Sequence, residues 1–293
     1  MDQKQEIQND VVLEAKFEDR MRGKEEADSE PKAPPTADEK QRLGDEHIRK
    51  GRVQEAINEY SKAVKMEESN PSRHTRLGDA YAYAEMSVKA LTEYKKAVKI
   101  SPRKAEPHYS LGELYRRHGK LNAAVAEYRK AVLYNAMNPF YRYKLGDALS
   151  QIGLLDEAID HLEIAVQVAA TDGFYHFWLA DLYSAAGRTE DAIREMQQAT
   201  IFSPVDAYYN LRLGMLYLRA DHVDDAVAAL KHAVLLQPLD PVHHALLGDA
   251  YARQGKRVKA MESYRRAGAL DPYDARNLDL IRRLAQESEQ ESG

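Results

Sequence analysis

Residues 110–132 read SLGELYRRHGKLNAAVAEYRKAV, and this stretch decides the fold. Leu111, Leu114 and Tyr115 are spaced to share one helix face. A second helical face follows, formed by Ala124, Tyr128 and Ala131. Between the two faces lies Gly119, where a glycine can take the left-handed conformation that ends a helix. The stretch therefore predicts two helices joined by a tight turn.

The same pattern returns at a period of 34 residues along the chain. Each copy begins with a leucine and a small residue: Leu43-Gly44, Leu77-Gly78, Leu111-Gly112, Leu145-Gly146, Leu179-Ala180, Leu213-Gly214 and Leu247-Gly248. An alanine column follows at Ala56, Ala90, Ala124, Ala158, Ala192, Ala226 and Ala260. A second alanine column follows at Ala63, Ala97, Ala131, Ala165, Ala199, Ala233 and Ala267. Because the copies stay in register, we predict that each forms one helical hairpin.

Two glycine positions of the repeat lead to structural expectations. A glycine inside a helix costs roughly 0.5–1 kcal/mol relative to alanine. Its recurrence indicates a close helix crossing, and we expect Ala56 and its equivalents to face it from the second helix. The turn glycine is replaced by Glu85 in the second copy and by Asp221 in the sixth. We expect those two turns to close differently.

With the closing prolines Pro102, Pro204, Pro238 and Pro272, the pattern resembles the tetratricopeptide repeat. The resemblance covers residues 37–274 and identifies no subfamily. It implies an all-α fold, a right-handed α-solenoid whose first helices line a concave groove. Seven helix-turn-helix units are predicted, at residues 37–70, 71–104, 105–138, 139–172, 173–206, 207–240 and 241–274.

The segments that flank the repeats differ from them in composition. Residues 1–36 carry ten acidic and six basic side chains, and we predict a disordered charged arm. Alternatively, Leu13, Phe17 and Met21 could form a short amphipathic helix that enters the groove or recruits a second protein. After Pro272 we predict a capping helix over residues 275–288, because a solenoid must cover its last hairpin. Residues 289–293 are predicted to be a disordered tail.

Composition excludes several functional classes. The formal net charge of −5 gives no attraction to nucleic acid or anionic lipid. RNA binding by a related helical repeat needs a basic groove, which this chain lacks. There is no apolar run of membrane-spanning length and no signal peptide, so we predict no membrane insertion. The absence of cysteine excludes disulfides and thiolate sites, and a cytoplasmic location is expected.

The residues that carry chemistry fall into repeat columns. One column contains the histidines His74, His108, His176 and His244, which therefore lie on separate hairpins. No two histidines have the spacing of a helical zinc site, and we predict no metal, no cofactor and no catalytic residues. A carboxylate column follows the small residue of the first helix, and three of its members have an arginine four residues later. We expect the ion pairs Asp45–Arg49, Glu113–Arg117 and Asp249–Arg253.

The resemblance places three positions of each first helix in the groove. In the first three units these positions are mainly polar, with Gln41, Ser72, Thr75 and Glu106. Units four to six present aromatic and apolar side chains edged by carboxylates. The predicted partner-binding residues are Glu113, Phe140, Tyr143, Asp147, Phe174, Phe177, Asp181, Tyr208 and Leu211. The same aromatics could instead fill the seams between hairpins. Phe177→Ala separates the two, since a contact residue would affect affinity more than stability.

These observations favour a non-enzymatic adaptor or assembly scaffold that holds a protein or peptide partner in the groove. A co-chaperone that grips a carboxylate terminus is disfavoured, because Glu106 and Asp45 stand where that clamp needs cationic or amide side chains. The alternative is a self-associating structural protein that forms homo-oligomers through its uncapped ends.

Overall fold

The computed structural model describes residues 34–273 and residue 279. The regular secondary structure of the described part is α-helical, and its repeats form the predicted seven hairpins of an all-α solenoid. The helices are α1 (Ala37–Arg49), α2 (Val53–Met66), α3 (Pro71–Tyr83), α4 (Ser87–Ile100), α5 (Ala105–Arg117), α6 (Leu121–Tyr134), α7 (Pro139–Gln151), α8 (Leu155–Val168), α9 (Gly173–Ala185), α10 (Thr189–Phe202), α11 (Ala207–Arg219), α12 (Val223–Leu236), α13 (Pro241–Arg253) and α14 (Arg257–Leu270). Odd numbers mark the first helix of each hairpin and even numbers the second.

Three predicted segments fall outside this description: the arm before residue 34, the capping helix apart from residue 279, and the tail. The chain divides into two compact units, Met1–Ile100 and Ser101–Gly293, and each is described by itself. Within the described residues, no helix is both long and apolar enough to cross a membrane.

Short polar side chains determine where the first helices begin. The residue before six of the seven first helices is Thr, Asn or Asp, and its side-chain oxygen accepts a hydrogen bond from the first turn. These residues are Thr36, Asn70, Asn138, Asp172, Asp206 and Asp240. Such caps satisfy backbone N–H groups that have no partner inside the helix. The regular spacing of the caps therefore reproduces the period of the sequence.

The seven turns between paired helices close in the same way, so the expectation of two exceptional turns is wrong. Five have a glycine with φ between 69° and 82°, at Gly51, Gly119, Gly153, Gly187 and Gly255. Glu85 and Asp221 take φ of 60° and 61° at the equivalent positions. The backbone bonds also match: Arg52 N–H donates to the His47 carbonyl at 2.8 Å, and Met86 N–H donates to Tyr81 at 2.8 Å. The turn therefore imposes the left-handed backbone conformation on Glu85 and Asp221, although neither is glycine.

Four of the six mid-helix glycines lie closest to a tyrosine ring of the second helix, and not to Ala56 and its equivalents as predicted. Gly146 and Gly214 lie closest to Leu162 and Leu230, and only Gly146 also has an alanine of that column, Ala158, nearby, through its carbonyl. A Cβ added to Gly112 would lie 2.5 Å from Cε1 of Tyr128. The same 2.5 Å separation holds for Gly44 and Tyr60, for Gly78 and Tyr94, and for Gly248 and Tyr264. The ring on the second helix thus requires a glycine beneath it. The alanine columns are buried beside this contact, with Ala56 and Ala124 fully inaccessible.

Candidate functional site

The first helices of the unit from residue 101 onward contact one another directly, in addition to their second-helix partners. α7 contacts α9, and α11 contacts α13. Side-chain bonds also cross between first helices: Arg219 of α11 donates to the Ser184 hydroxyl of α9 at 2.7 Å. We call the side chains that α5, α7, α9 and α11 present around these contacts the first-helix surface.

An almost continuous series of aromatic rings runs along the first-helix surface. Tyr109 meets Phe140 edge-on, with ring centroids 5.6 Å apart, and stacks on Tyr141 at 5.2 Å. Tyr143 meets Phe174 edge-on at 4.8 Å. Tyr143 also contacts Trp178 of the same neighbouring helix at 5.1 Å. One repeat further along, Phe177 contacts Tyr208 at 5.7 Å and Tyr209 at 5.0 Å. The rings thus join successive hairpins and leave part of their area on the surface.

The predicted partner-binding residues differ in how much solvent they meet. Phe140 is 38% exposed and Tyr208 47% exposed, while Tyr143 and Phe174 are partly buried. Phe177 and Leu211 are only 9% and 8% exposed. Phe177 also stacks on Tyr209 with an angle of 12° between the ring planes. Packing between hairpins is therefore the role that the structure favours for Phe177 and Leu211.

The sequence interpretation missed four side chains on this surface. Tyr109 lies four residues before Glu113, in a column already assigned to the groove, so the third unit was wrongly grouped as polar and its ring was overlooked. Trp178 follows Phe177 and contacts Tyr143. The other two are the cations Lys144 and Arg212. Only Tyr109 could have been found by column, because the other three lie one position away from the columns considered.

The carboxylate column is satisfied mainly by tyrosine, and the three predicted pairs with arginine four residues later do not form. Tyr60 donates to Asp45 at 2.7 Å, and Tyr264 donates to Asp249 at 2.7 Å. Tyr94 donates to Asp79 at 2.8 Å, and Tyr128 donates to Glu113. Arg253 instead donates to the Leu218 carbonyl at 2.6 Å. The second helix holds the carboxylate because the tyrosine that covers the glycine also reaches one residue beyond it.

Glu113 is the most strongly held of these carboxylates. Burial opposes its ionisation, but hydrogen bonds from Arg116 and Tyr128 outweigh burial and hold the pKa of Glu113 below its usual value. Lys144 of the next hairpin adds an ion pair, with its Nζ atom 3.3 Å from Oε1 of Glu113. Burial, followed by the bond to Glu113, raises the pKa of Tyr128 far above its usual value. Glu113 is therefore ionised and already paired.

Asp147 and Asp181 have no tyrosine of this kind, because Leu162 and Met196 occupy the equivalent places. Asp181 pairs with Arg212 of the next hairpin. Asp147 accepts a hydrogen bond from Gln151 of its own helix at 3.0 Å. Burial, followed by the charge of Asp147, raises the pKa of Tyr143 to about 12.

Histidines of the repeat column connect the loop before a hairpin to the second helix of that hairpin. One ring nitrogen of His176 lies 2.7 Å from Glu195, and the other lies 3.1 Å from the Ala170 carbonyl. His74 and Glu93 are 2.6 Å apart, as are His108 and Glu127. Across the described residues, no three His, Asp or Glu side chains are grouped so that they could hold a metal ion. His74, His108 and His176 therefore stabilise their own hairpins.

These features define the class of protein: a solenoid of helical hairpins with one face of ordered aromatic and charged side chains. Models of the TPR repeat match residues 44–83, 89–119 and 112–153, and a tetratricopeptide repeat model matches residues 143–207 and 211–275. The chain belongs to the tetratricopeptide repeat family. No curated protein matches it in sequence.

Solved structures share the fold. The C-terminal part of a TPR repeat-containing protein from Cytophaga hutchinsonii is 17% identical with a TM-score of 0.68, and the match covers 81% of this chain and 98% of that one. YrrB, described as a TPR protein with an unusual peptide-binding site, is 21% identical with a TM-score of 0.57, covering 64% and 97%. MamA from Desulfovibrio magneticus is 18% identical with a TM-score of 0.54, covering 58% and 96%.

Proposed function

We propose that this protein is an adaptor that holds a peptide segment of a partner protein on the first-helix surface between Tyr109 and Leu211. The observation that carries the proposal is the exposure of large rings there. Phe140 and Tyr208 leave 38% and 47% of their surface in solvent, and Tyr143, Phe174 and Trp178 between them are only partly buried. Aromatic side chains that are ordered by their neighbours can bind a partner at little cost in conformational entropy.

Charge supports a peptide partner over nucleic acid. Lys144 and Arg212 lie on this surface, but each pairs with a carboxylate of the neighbouring hairpin. These two cations are therefore not free to pair with a phosphate backbone. YrrB, whose described binding site accepts a peptide, shares this fold and adds indirect support.

Trp178 offers a direct measurement, because it is the single tryptophan of the chain and lies between Tyr143 and Phe177. A library of short random peptides would be selected on the full-length protein. The affinity of the selected peptides would then be measured from the change in Trp178 fluorescence. Phe140→Ala and Tyr208→Ala are each expected to weaken binding about tenfold or more, as truncating an interface anchor typically does.

Leu133→Ala is the matched control. Leu133 is 71% exposed but lies on the second helix α6, away from the first-helix surface, so its removal should leave affinity unchanged. The proposal fails if the library yields no binder, or if the Phe140 and Tyr208 variants bind as tightly as the Leu133 variant. Light scattering across a concentration series tests the self-associating alternative, which requires mass to grow with concentration.

A further inference from the structure

Two seams of the first-helix surface, separated by a third, each contain one carboxylate, one cation and two aromatic rings. At the seam between α5 and α7, Lys144 pairs with Glu113 at 3.3 Å. The Nζ atom of Lys144 also lies 5.4 Å from the ring centre of Phe140 and 5.8 Å from that of Tyr143. The cation thus neutralises a carboxylate on the preceding hairpin while it covers aromatic faces.

The seam between α9 and α11 contains the same kinds of side chain, although its second ring, Phe177, comes from the preceding first helix, whereas Tyr143 is on the helix of Lys144. Arg212 pairs with Asp181, and its guanidinium lies 5.8 Å from the Phe177 ring centre and 5.9 Å from the Tyr208 ring centre. Arg212 stands two repeats after Lys144, as Asp181 stands two repeats after Glu113. Both seams therefore supply their own cation from the same position of the repeat.

The seam between these two, where α7 meets α9, keeps the carboxylate and the rings but replaces the cation. Asp147 is the carboxylate, Tyr143 and Phe174 are the rings, and Trp178 stands at the position of Lys144 and Arg212. The Trp178 ring centre lies 5.1 Å from that of Tyr143 and 6.2 Å from that of Phe174. Within the part of the chain that the structure describes, Asp147 forms no ion pair; its recorded bond comes from the neutral Gln151.

We propose that Asp147, Tyr143 and Trp178 bind a lysine or arginine side chain of the partner segment. This inference rests on the proposed function and names the chemistry of its ligand. A partner cation would supply the charge that the chain itself supplies on either side. Trp178 is suited to this because the indole face attracts cations more strongly than other aromatic faces do.

The local electrostatics agree with this assignment. The charge of Asp147 reaches Tyr143, where it adds to burial in raising the pKa of the phenol. Asp147 is therefore close enough to the Tyr143 ring for one cation to approach both. Because Lys144 already lies 5.8 Å from the Tyr143 ring centre, Trp178 is the main aromatic face that the site offers to a partner cation.

The test is a double-mutant cycle with the peptides selected on the full-length protein. Their sequences are expected to be enriched in lysine or arginine. In peptides that bind through an arginine, replacing it by citrulline, which keeps the shape of arginine and removes its charge, should weaken binding to the wild type about tenfold. Against the Asp147→Asn variant the same replacement should change affinity less than about twofold.

Two further variants sharpen the test. Asp249→Asn removes a carboxylate from the same repeat column, where Tyr264 already donates to it, so the citrulline effect should remain about tenfold. Trp178→Arg installs the cation found at the neighbouring seams and should weaken cationic peptides about tenfold, as measured by calorimetry. Circular dichroism would confirm that each variant retains its helices.

The outcomes separate this inference from the proposed function. Selected peptides without basic residues, or an equal citrulline effect on the wild type and on Asp147→Asn, would overturn the cation site. The adaptor would still stand if those peptides remained sensitive to Phe140→Ala and Tyr208→Ala. Peptides insensitive to both of those substitutions would remove the adaptor proposal and the cation site with it.

Discussion

Replacing Glu85 by glycine is expected to stabilise the protein, although it removes a whole side chain. Glu85 closes the turn between α3 and α4 with φ of 60°, in the left-handed region. Its side chain is exposed. An L-residue in this conformation costs roughly 1–2 kcal/mol because its Cβ approaches the following carbonyl oxygen. Glycine has no Cβ and avoids that cost.

The expected gain is smaller than the strain, since glycine also loses more backbone entropy on folding. That loss is roughly 0.5–1 kcal/mol relative to alanine. The difference leaves a gain of about 0.5–1 kcal/mol in the free energy of unfolding. Asp221 has a similar φ of 61°, but aspartate tolerates this region better than glutamate, so Asp221→Gly should gain less.

Two matched variants isolate the backbone contribution. Glu85→Ala keeps the Cβ and should change stability by less than about 0.5 kcal/mol. Gly119→Ala introduces the strain at an equivalent turn, where the new Cβ meets nothing within 4 Å, and should cost about 1 kcal/mol. Urea unfolding followed by circular dichroism measures the free energy of global unfolding. Hydrogen exchange of the α3 and α4 amides measures the free energy of local unfolding around the turn. The reasoning is refuted if Glu85→Gly is no more stable than Glu85→Ala.

Three further predictions concern the contact between Gly112 and Tyr128, the burial of the aromatic rings, and the hydrogen bonds of His176. Gly112→Ala should destabilise by about 1–2 kcal/mol, because overpacking against the buried Tyr128 ring exceeds the gain in helix propensity, and urea unfolding should show partial rescue by Tyr128→Met. Phe177→Ala should lower the unfolding free energy by about 3 kcal/mol and Tyr208→Ala by less than about 1, which calorimetry would rank. Bonds to a carboxylate and a carbonyl outweigh burial and raise the pKa of His176. The stability this contributes is full below about pH 6.5 and is lost as pH rises through the raised pKa, so His176→Gln should flatten that slope.

The hairpins could be predicted from the sequence because every copy repeats the same short-range sequence signals. An apolar stripe and a turn residue occur in fixed order within each unit, and six of the seven units begin with a capping residue. The interpretation of one unit can therefore be checked against the next. Helix α7 begins at Pro139, and Asn138 provides the cap. Such features depend on neighbours close in sequence, which periodicity can reveal.

Contacts between helices were predicted less well, since they depend on the length of a side chain as well as on its column. Tyr60 and Ala56 lie one turn apart on α2, but only Ala56 was predicted to face Gly44. The phenol is long enough to cover the glycine and to reach Asp45, which alanine cannot do. The turn at Glu85 shows the converse, because packing of two complete helices imposes a backbone conformation that the residue alone would avoid.

The cation site proposed at Asp147 follows from comparing seams, and a comparison of units does not reveal it. Within its own unit, Trp178 is simply another aromatic residue beside Phe177. Aligning the repeats shows only that position 178 is a tryptophan where the equivalent position 212 is an arginine. The meaning of that difference depends on Asp147, which lies 31 residues earlier on another helix, just as Asp181 lies 31 residues before Arg212. Once Arg212 is seen to pair with Asp181 and Lys144 with Glu113, the tryptophan at 178 marks the seam where a partner can supply the charge. Repetition therefore predicts the scaffold, and the departure of one seam from its two neighbours identifies where its specificity for a partner would lie.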